Sequence, residues 1–150
     1  MTLSPDIKIR PLLPSDAALA ASLSAELGYP VAAEVMERRI RLFSALEKHA
    51  LFGACLHDQL IAWIDVGIVY HLQAEPYGEI GGLVVSKKHH GSGIGKALVE
   101  AAEQWITSQG VTQVLVRSQI AREGVHAFYL RQGFTRTKTS AVFMKSIEPC

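Results

Sequence analysis

A chain of 150 residues, 49% hydrophobic and 19% charged, has the size and texture of one globular domain; intrinsic disorder is excluded. Fifteen basic and fourteen acidic residues leave a net charge of +1, so nucleic acid is not an expected partner, while a homodimer through a shared apolar surface stays open. No apolar run approaches the roughly 20 residues of a membrane span, the start MTLSPDIKIRPLLPSD lacks a signal peptide's apolar core, and the two cysteines, Cys55 and Cys150, form neither a CxxC pair nor a zinc pattern. These features predict a cytoplasmic protein with free thiols and no metal.

Ile7, Ile9 and Pro11–Leu13 predict a short strand running into a turn. Pro14, Ser15 and Asp16 then open a helix, with Ser15 or Asp16 as its cap. Leu19, Leu23 and Leu27 recur on one face before Gly28 ends that helix. After Tyr29-Pro30 a second helix turns Val35, Met36, Ile40, Phe43 and Leu46 inward, with Glu37 and Arg41 paired outside. ALFGACLH, the turn pair Asp58-Gln59 and LIAWIDVGIVY predict a hairpin. HLQAEP reads as a loop marked by Pro76. YGEIGGLVV is the next strand, with Gly81-Gly82 signalling a bulge or a close backbone approach. Apolar positions from Ile94 to Ile106 make a helix ended by Gly110. VTQVLVRS is a strand, REGVHAFYLRQ a short helix closed by Gly133, and SAVFMKSI a last strand. The expected fold is α/β: a mixed, largely antiparallel central sheet with helices on both faces, in one domain spanning residues 1–150.

The chemistry concentrates between Val84 and Leu98, where a strand passes through a glycine-rich turn into a long amphipathic helix. The first N–H groups of such a helix have no internal partners, and the helix dipole adds positive character there. Small residues let phosphate oxygens approach the backbone, so a pyrophosphate-bearing ligand is expected near Gly91 to Lys96. Two common phosphate loops do not fit. A P-loop needs four residues between its glycines and then Lys-Ser/Thr, but three separate Gly91 from Gly95, and Ala97 follows Lys96. The dinucleotide fingerprint fails because Lys96 and Leu98 stand where glycines are needed.

His90-Gly91-Ser92-Gly93-Ile94-Gly95 fits the remaining pattern, Q/R-x-x-G-x-G/A. It resembles the acyl-CoA pyrophosphate loop of the GNAT superfamily of N-acetyltransferases, with His90 in place of the usual Gln or Arg. A purely structural strand-to-helix turn is the plain alternative. Downstream, His126-Ala127-Phe128-Tyr129-Leu130-Arg131-Gln132-Gly133-Phe134 resembles the family's helix-glycine-aromatic element, with Arg122 where an asparagine is often found. The resemblance makes Tyr129 the donor that protonates the departing CoA thiolate, a step helped by a nearby O–H; otherwise Phe128-Tyr129 is a packed aromatic pair.

Tyr77 to Val85 resembles the family's core strand, which splays from its neighbour and binds the pantetheine arm and acetyl carbonyl through exposed backbone. Leu83, Val84 and Val85 inherit that role, and an oriented N–H there would stabilise the oxyanion. Glu79 stands where the histone-acetyltransferase branch has a catalytic glutamate. A lysine-like amine, with a reference pKa of roughly 10.4, must lose a proton before attack, and Glu79 is the first candidate to take it; an exposed carboxylate or the partner of a basic residue is the plain reading. Lys87-Lys88-His89-His90 reads as a solvated turn that can meet the 3′-phosphate of CoA, and His126 as a packed histidine or a proton relay. Tyr29, Trp63, Asp65 and His71 are candidates for the acceptor pocket. The resemblance spans Tyr77 to Phe143. It implies transfer of acetyl from acetyl-CoA to a primary amine of a small-molecule acceptor, by direct attack in a ternary complex. A non-catalytic acyl-CoA-binding module is the alternative.

Overall fold

The computed structural model describes residues 3–149; Cys150 and the first two residues lie outside that range. Two units form, one up to Arg117 and the other from Ser118.

The first unit is built on five strands in spatial order β1-β2-β3-β4-β5: β1 (Ile7–Pro11), β2 (His49–Leu56), β3 (Gln59–His71), β4 (Ala74–Val85) and β5 (Val114–Val116). Pairing is antiparallel from β1 to β4 and parallel between β4 and β5, which is the expected mixed, largely antiparallel sheet. The β2–β3 turn falls one residue earlier than the sequence suggests. His57 and Asp58, with φ of 47° and 66°, are its central residues, the geometry that matches strand twist in a two-residue hairpin. The expected loop HLQAEP shrinks to a turn at Leu72-Gln73, and Pro76 lies inside β4. The ladder passes from Val69↔Tyr77 to His71↔Ala74 through an irregularity, so the proline sits where no regular N–H bond is required.

Helices α1 (Ala17–Leu27) and α2 (Ala33–Ser44) cover one sheet face, and α3 (Ile94–Ser108) covers the other. The leucine stripe expected to bury α1 is only partly inward: Leu23 is buried, but Leu19 is 42% exposed. Ala17, Ala20, Ala21 and Ser24 make the packed face instead, because small residues bring the helix close enough for the Trp63 indole to donate to the Ala20 carbonyl, 3.1 Å away. In α2, Met36 and Ile40 are buried as expected, whereas Leu46 lies beyond the helix and is exposed. On the other face Ile94, Leu98, Val99, Ala102 and Ile106 of α3 are buried, as are Ile64, Val66 and Ile80 of the sheet.

Asp16, closing a 3-10 turn before α1, accepts two bonds from the Arg10 guanidinium at 2.8 and 2.9 Å and one from the Leu13 N–H at 2.7 Å. The Arg10 contacts hold its carboxyl below the usual range. Cys55 is a buried free thiol, and burial pushes its pKa up.

In the second unit α4 (Glu123–Arg131) is followed by Gly133, at φ 94°. The strand expected over SAVFMKSI does not form: residues 135–149 carry no secondary structure, and Val142, Phe143, Met144 and Ile147 are exposed. β-propensity expresses fit to a neighbouring strand, and no ladder partner exists for this stretch among the described residues.

Candidate active site

β4 has two differently paired stretches. Gly78, Glu79 and Ile80 are held on both sides, opposite Ile68, Gly67 and Val66 of β3 and Val114, Leu115 and Val116 of β5. Beyond Ile80 only β3 remains: Gly82, Leu83, Val84 and Val85 pair with Asp65, Ile64, Trp63 and Ala62. Between the stretches the register shifts and Gly81 is the extra residue, which fulfils the bulge reading of Gly81-Gly82. Among the described residues no strand takes the other side of Gly81–Val85.

That half-paired stretch leads into the glycine turn. Ser86 donates its N–H to Ile61 O at 2.8 Å, and a 3-10 turn covers Lys87–His89. His90 turns inward on the loop: its Nε2–H donates to Val85 O at 2.8 Å, and the Ser92 hydroxyl donates to His89 O. These bonds fix the turn from within. Gly91 and Gly93 have φ of 78° and 85°, a region L side chains rarely enter. Gly93 is the N-cap of α3, and no side chain caps that end. The first intrahelical bond runs from Ala97 N to Gly93 O, 3.1 Å, so the N–H groups of Ile94, Gly95 and Lys96 precede the helical ladder. Ile94, 1% exposed, pins the helix start to the core, while Lys96 is exposed.

The two titratable candidates lie in different units. Glu79 Oε2 accepts from Arg117 Nε at 3.0 Å, with Glu79 the less exposed partner. Tyr129, on α4, is half-buried between edge-to-face contacts with Phe128 and Phe134, at centroid distances of 5.1 and 5.5 Å. Burial pushes its phenol pKa up, so it holds its proton at neutral pH, as a proton donor must. His126 is committed to packing, with Nε2 at 2.8 Å from Gln119 O. His71 and Tyr77 pair with each other, 3.2 Å apart.

The sheet also brings together two residues that no sequence motif links. His49, the first residue of β2, places Nε2 3.4 Å from Asp65 Oδ1. Hairpin register was the only signal that pointed to it: His49 faces Gly67, and Leu51 faces Asp65.

The sequence pattern of the acetyltransferase (GNAT) family matches residues 17–134. An aminoglycoside N(6′)-acetyltransferase type 1 from Stenotrophomonas maltophilia is 29% identical over 146 residues, covering 94% of each chain. Among solved structures, aminoglycoside 6′-N-acetyltransferase AAC(6′)-Ih from Acinetobacter baumannii superposes with a TM-score of 0.83 at 23% identity, covering 95% of this chain and 99% of that one. AAC(6′)-Iy, solved with a bisubstrate analogue that joins CoA to an acetylneamine, gives 0.82 at 17% identity, covering 94% and 99%. The half-open strand, the uncapped glycine turn and the long helix after it thus occur in a chain that belongs to the acetyltransferase (GNAT) family and is an N-acetyltransferase.

Proposed function

We propose that this enzyme transfers acetyl from acetyl-CoA to a primary amine of a small-molecule acceptor, by direct attack in a ternary complex. The observation that carries the reading is the stretch Gly81–Val85, which has no second strand beside it among the described residues, followed through the glycine turn by the uncapped start of α3. Such a run suits a long ligand with a polar arm and a pyrophosphate. In this reading the N–H groups around Gly91, Ser92, Gly93, Ile94, Gly95 and Lys96 receive the pyrophosphate. The backbone of Leu83, Val84 and Val85 receives the pantetheine arm, and an N–H there steadies the oxygen that gains charge during attack. Acetyl-CoA supplies an activated thioester; the chain supplies positioning and proton movement.

Glu79 takes the proton from the acceptor, with Arg117 Nε 3.0 Å away holding its carboxylate in place, and Tyr129 gives one to the departing sulfur. His90, tied to Val85 O, shapes the turn more than it contacts phosphate. The family match runs across both units, which supports one transferase domain over the chain. An aminoglycoside amine is the acceptor favoured by the relatives' activity. The test follows free thiol on mixing the protein with acetyl-CoA and a panel of aminoglycosides, polyamines, amino acids and a lysine peptide. Thiol release that requires an aminoglycoside, with a mass gain of one acetyl group, is the expected result. Tight acetyl-CoA binding without release on any amine would favour the non-catalytic binding module instead.

A further inference from the structure

Asp65 and Trp63 alternate along β3 on the face covered by α1, since the Trp63 indole reaches Ala20 and residues two apart share a face. Three glycines surround Asp65 and its neighbour His49. A Cβ at Gly81 would collide with Asp65 Oδ1; one at Gly82 would stand 3.4 Å from Asp65 Oδ2 and 3.1 Å from the Trp63 ring. A Cβ at Gly67 would come 2.8 Å from His49 Nδ1. The bulge at Gly81 and the lack of side chains at these positions therefore make the space in which the His49–Asp65 pair lies.

The pair is incompletely satisfied. His49 Nε2 is buried and makes no aligned hydrogen bond, despite its 3.4 Å approach to Asp65. Its ring is fixed on its other side by Phe43, 5.0 Å between centroids. The Asp65 carboxylate is 26% exposed, and no described residue donates a hydrogen bond to it. A carboxylate has about four acceptor positions, so Asp65 can accept from a ligand that reaches its exposed side. Glu79, across from Gly67 on the same ladder, differs because Arg117 already occupies it. Asp65 is thus a part-exposed carboxylate, held beside His49, that accepts no hydrogen bond from any described residue. By register it faces Gly82, one residue before Leu83.

We infer that Asp65, positioned by His49, binds a second, non-reacting ammonium of the acceptor and so selects di- and polyamines over monoamines. The inference rests on the proposed transferase reading, which puts the acetyl carbonyl beside Leu83. An ammonium bound directly by a carboxylate keeps its proton and is no nucleophile, so the amine on Asp65 is the neighbour of the one that reacts. A carboxylate-to-ammonium contact of this kind raises affinity by about 10- to 100-fold.

The experiment compares neamine, which carries several amines, with methyl 6-amino-6-deoxyglucopyranoside, which carries one. Asp65→Asn should raise KM for neamine about 10- to 100-fold, while kcat and the KM for acetyl-CoA stay within about twofold and the monoamine is unaffected. His49→Gln should give a smaller rise of the same kind, since it loosens the carboxylate without removing it. A fall in kcat with both acceptors would make Asp65 a base and overturn the inference. An unchanged KM for neamine, or an equal rise for both acceptors, overturns it too. If wild type acetylates neither amine, the choice of acceptor in the transferase reading fails by itself. Calorimetry with neamine then still decides the subsite: weaker binding to Asp65→Asn supports it, and equal binding sinks it. Circular dichroism of both variants confirms that they fold.

Discussion

The two stretches of β4 follow directly on one another in sequence, yet they are built to opposite ends. At Gly78–Ile80 strands flank both sides and Ile106 presses on Gly78 from α3, so this stretch is paired on both edges. At Gly81–Val85, beyond the bulge, the pairing with β5 has ended, and among the described residues one side of the strand has no strand partner. Unpaired backbone in a part-buried place is costly unless something satisfies it. The difference teaches how one strand can serve two ends: in the proposed reading the closed stretch braces the sheet and holds Glu79 in place, the open stretch receives the ligand, and substitutions should separate the two.

The largest expected effect falls on the closed stretch. Gly78→Val drives a branched side chain into Ile106, which is 1% exposed and cannot move aside. It should cost about 3 kcal/mol in urea unfolding, while activity per folded molecule stays within about twofold of wild type. Tyr129→Phe is the opposite case. Ring packing with Phe128 and Phe134 survives, so stability and acetyl-CoA affinity should hold, but loss of the proton donor should lower kcat about 10²-fold. A normal kcat would reduce Tyr129 to a packing residue. Glu79→Gln should lower kcat by about 10²-fold, most at low pH, where the acceptor amine is most fully protonated; an unaltered pH profile would remove Glu79 as the proton acceptor.

The smallest effect lies far from the site. Arg10→Met should cost about 1 kcal/mol at neutral pH, because Asp16 keeps only the Leu13 N–H. Arg10 depresses the folded-state pKa of Asp16, so the difference from wild type is fully present above the unfolded carboxylate value of about 3.9. It is lost as pH falls through the lower folded value. Urea titrations of both proteins between neutral and acid pH read this directly.

Elements set by local pattern were legible in the sequence: the glycine-ended α1, the amphipathic α2, the turn into α3, and α4 with Gly133. What was not legible depended on partners. Moving the β2–β3 turn from Asp58-Gln59 to His57-Asp58 changes which residues face each other, and a one-residue slip exchanges sheet faces; His49 beside Asp65 emerges only from the observed register. Pro76 looks like a strand breaker because sequence alone does not reveal the irregularity opposite it. The Glu79–Arg117 pair joins positions 38 apart in sequence, beyond any local pattern. The buried face of α1 is not legible in the sequence because Ala20 and Ala21 look weakly apolar, whereas close packing on the sheet favours their size.

The most direct measurement of the central claim is backbone hydrogen–deuterium exchange with and without acetyl-CoA. Slower exchange in peptides spanning Gly81 to Lys96, with no change at Gly78–Ile80 or in β2, is the expected result. Protection confined to other segments, under conditions where acetyl-CoA demonstrably binds, would contradict it.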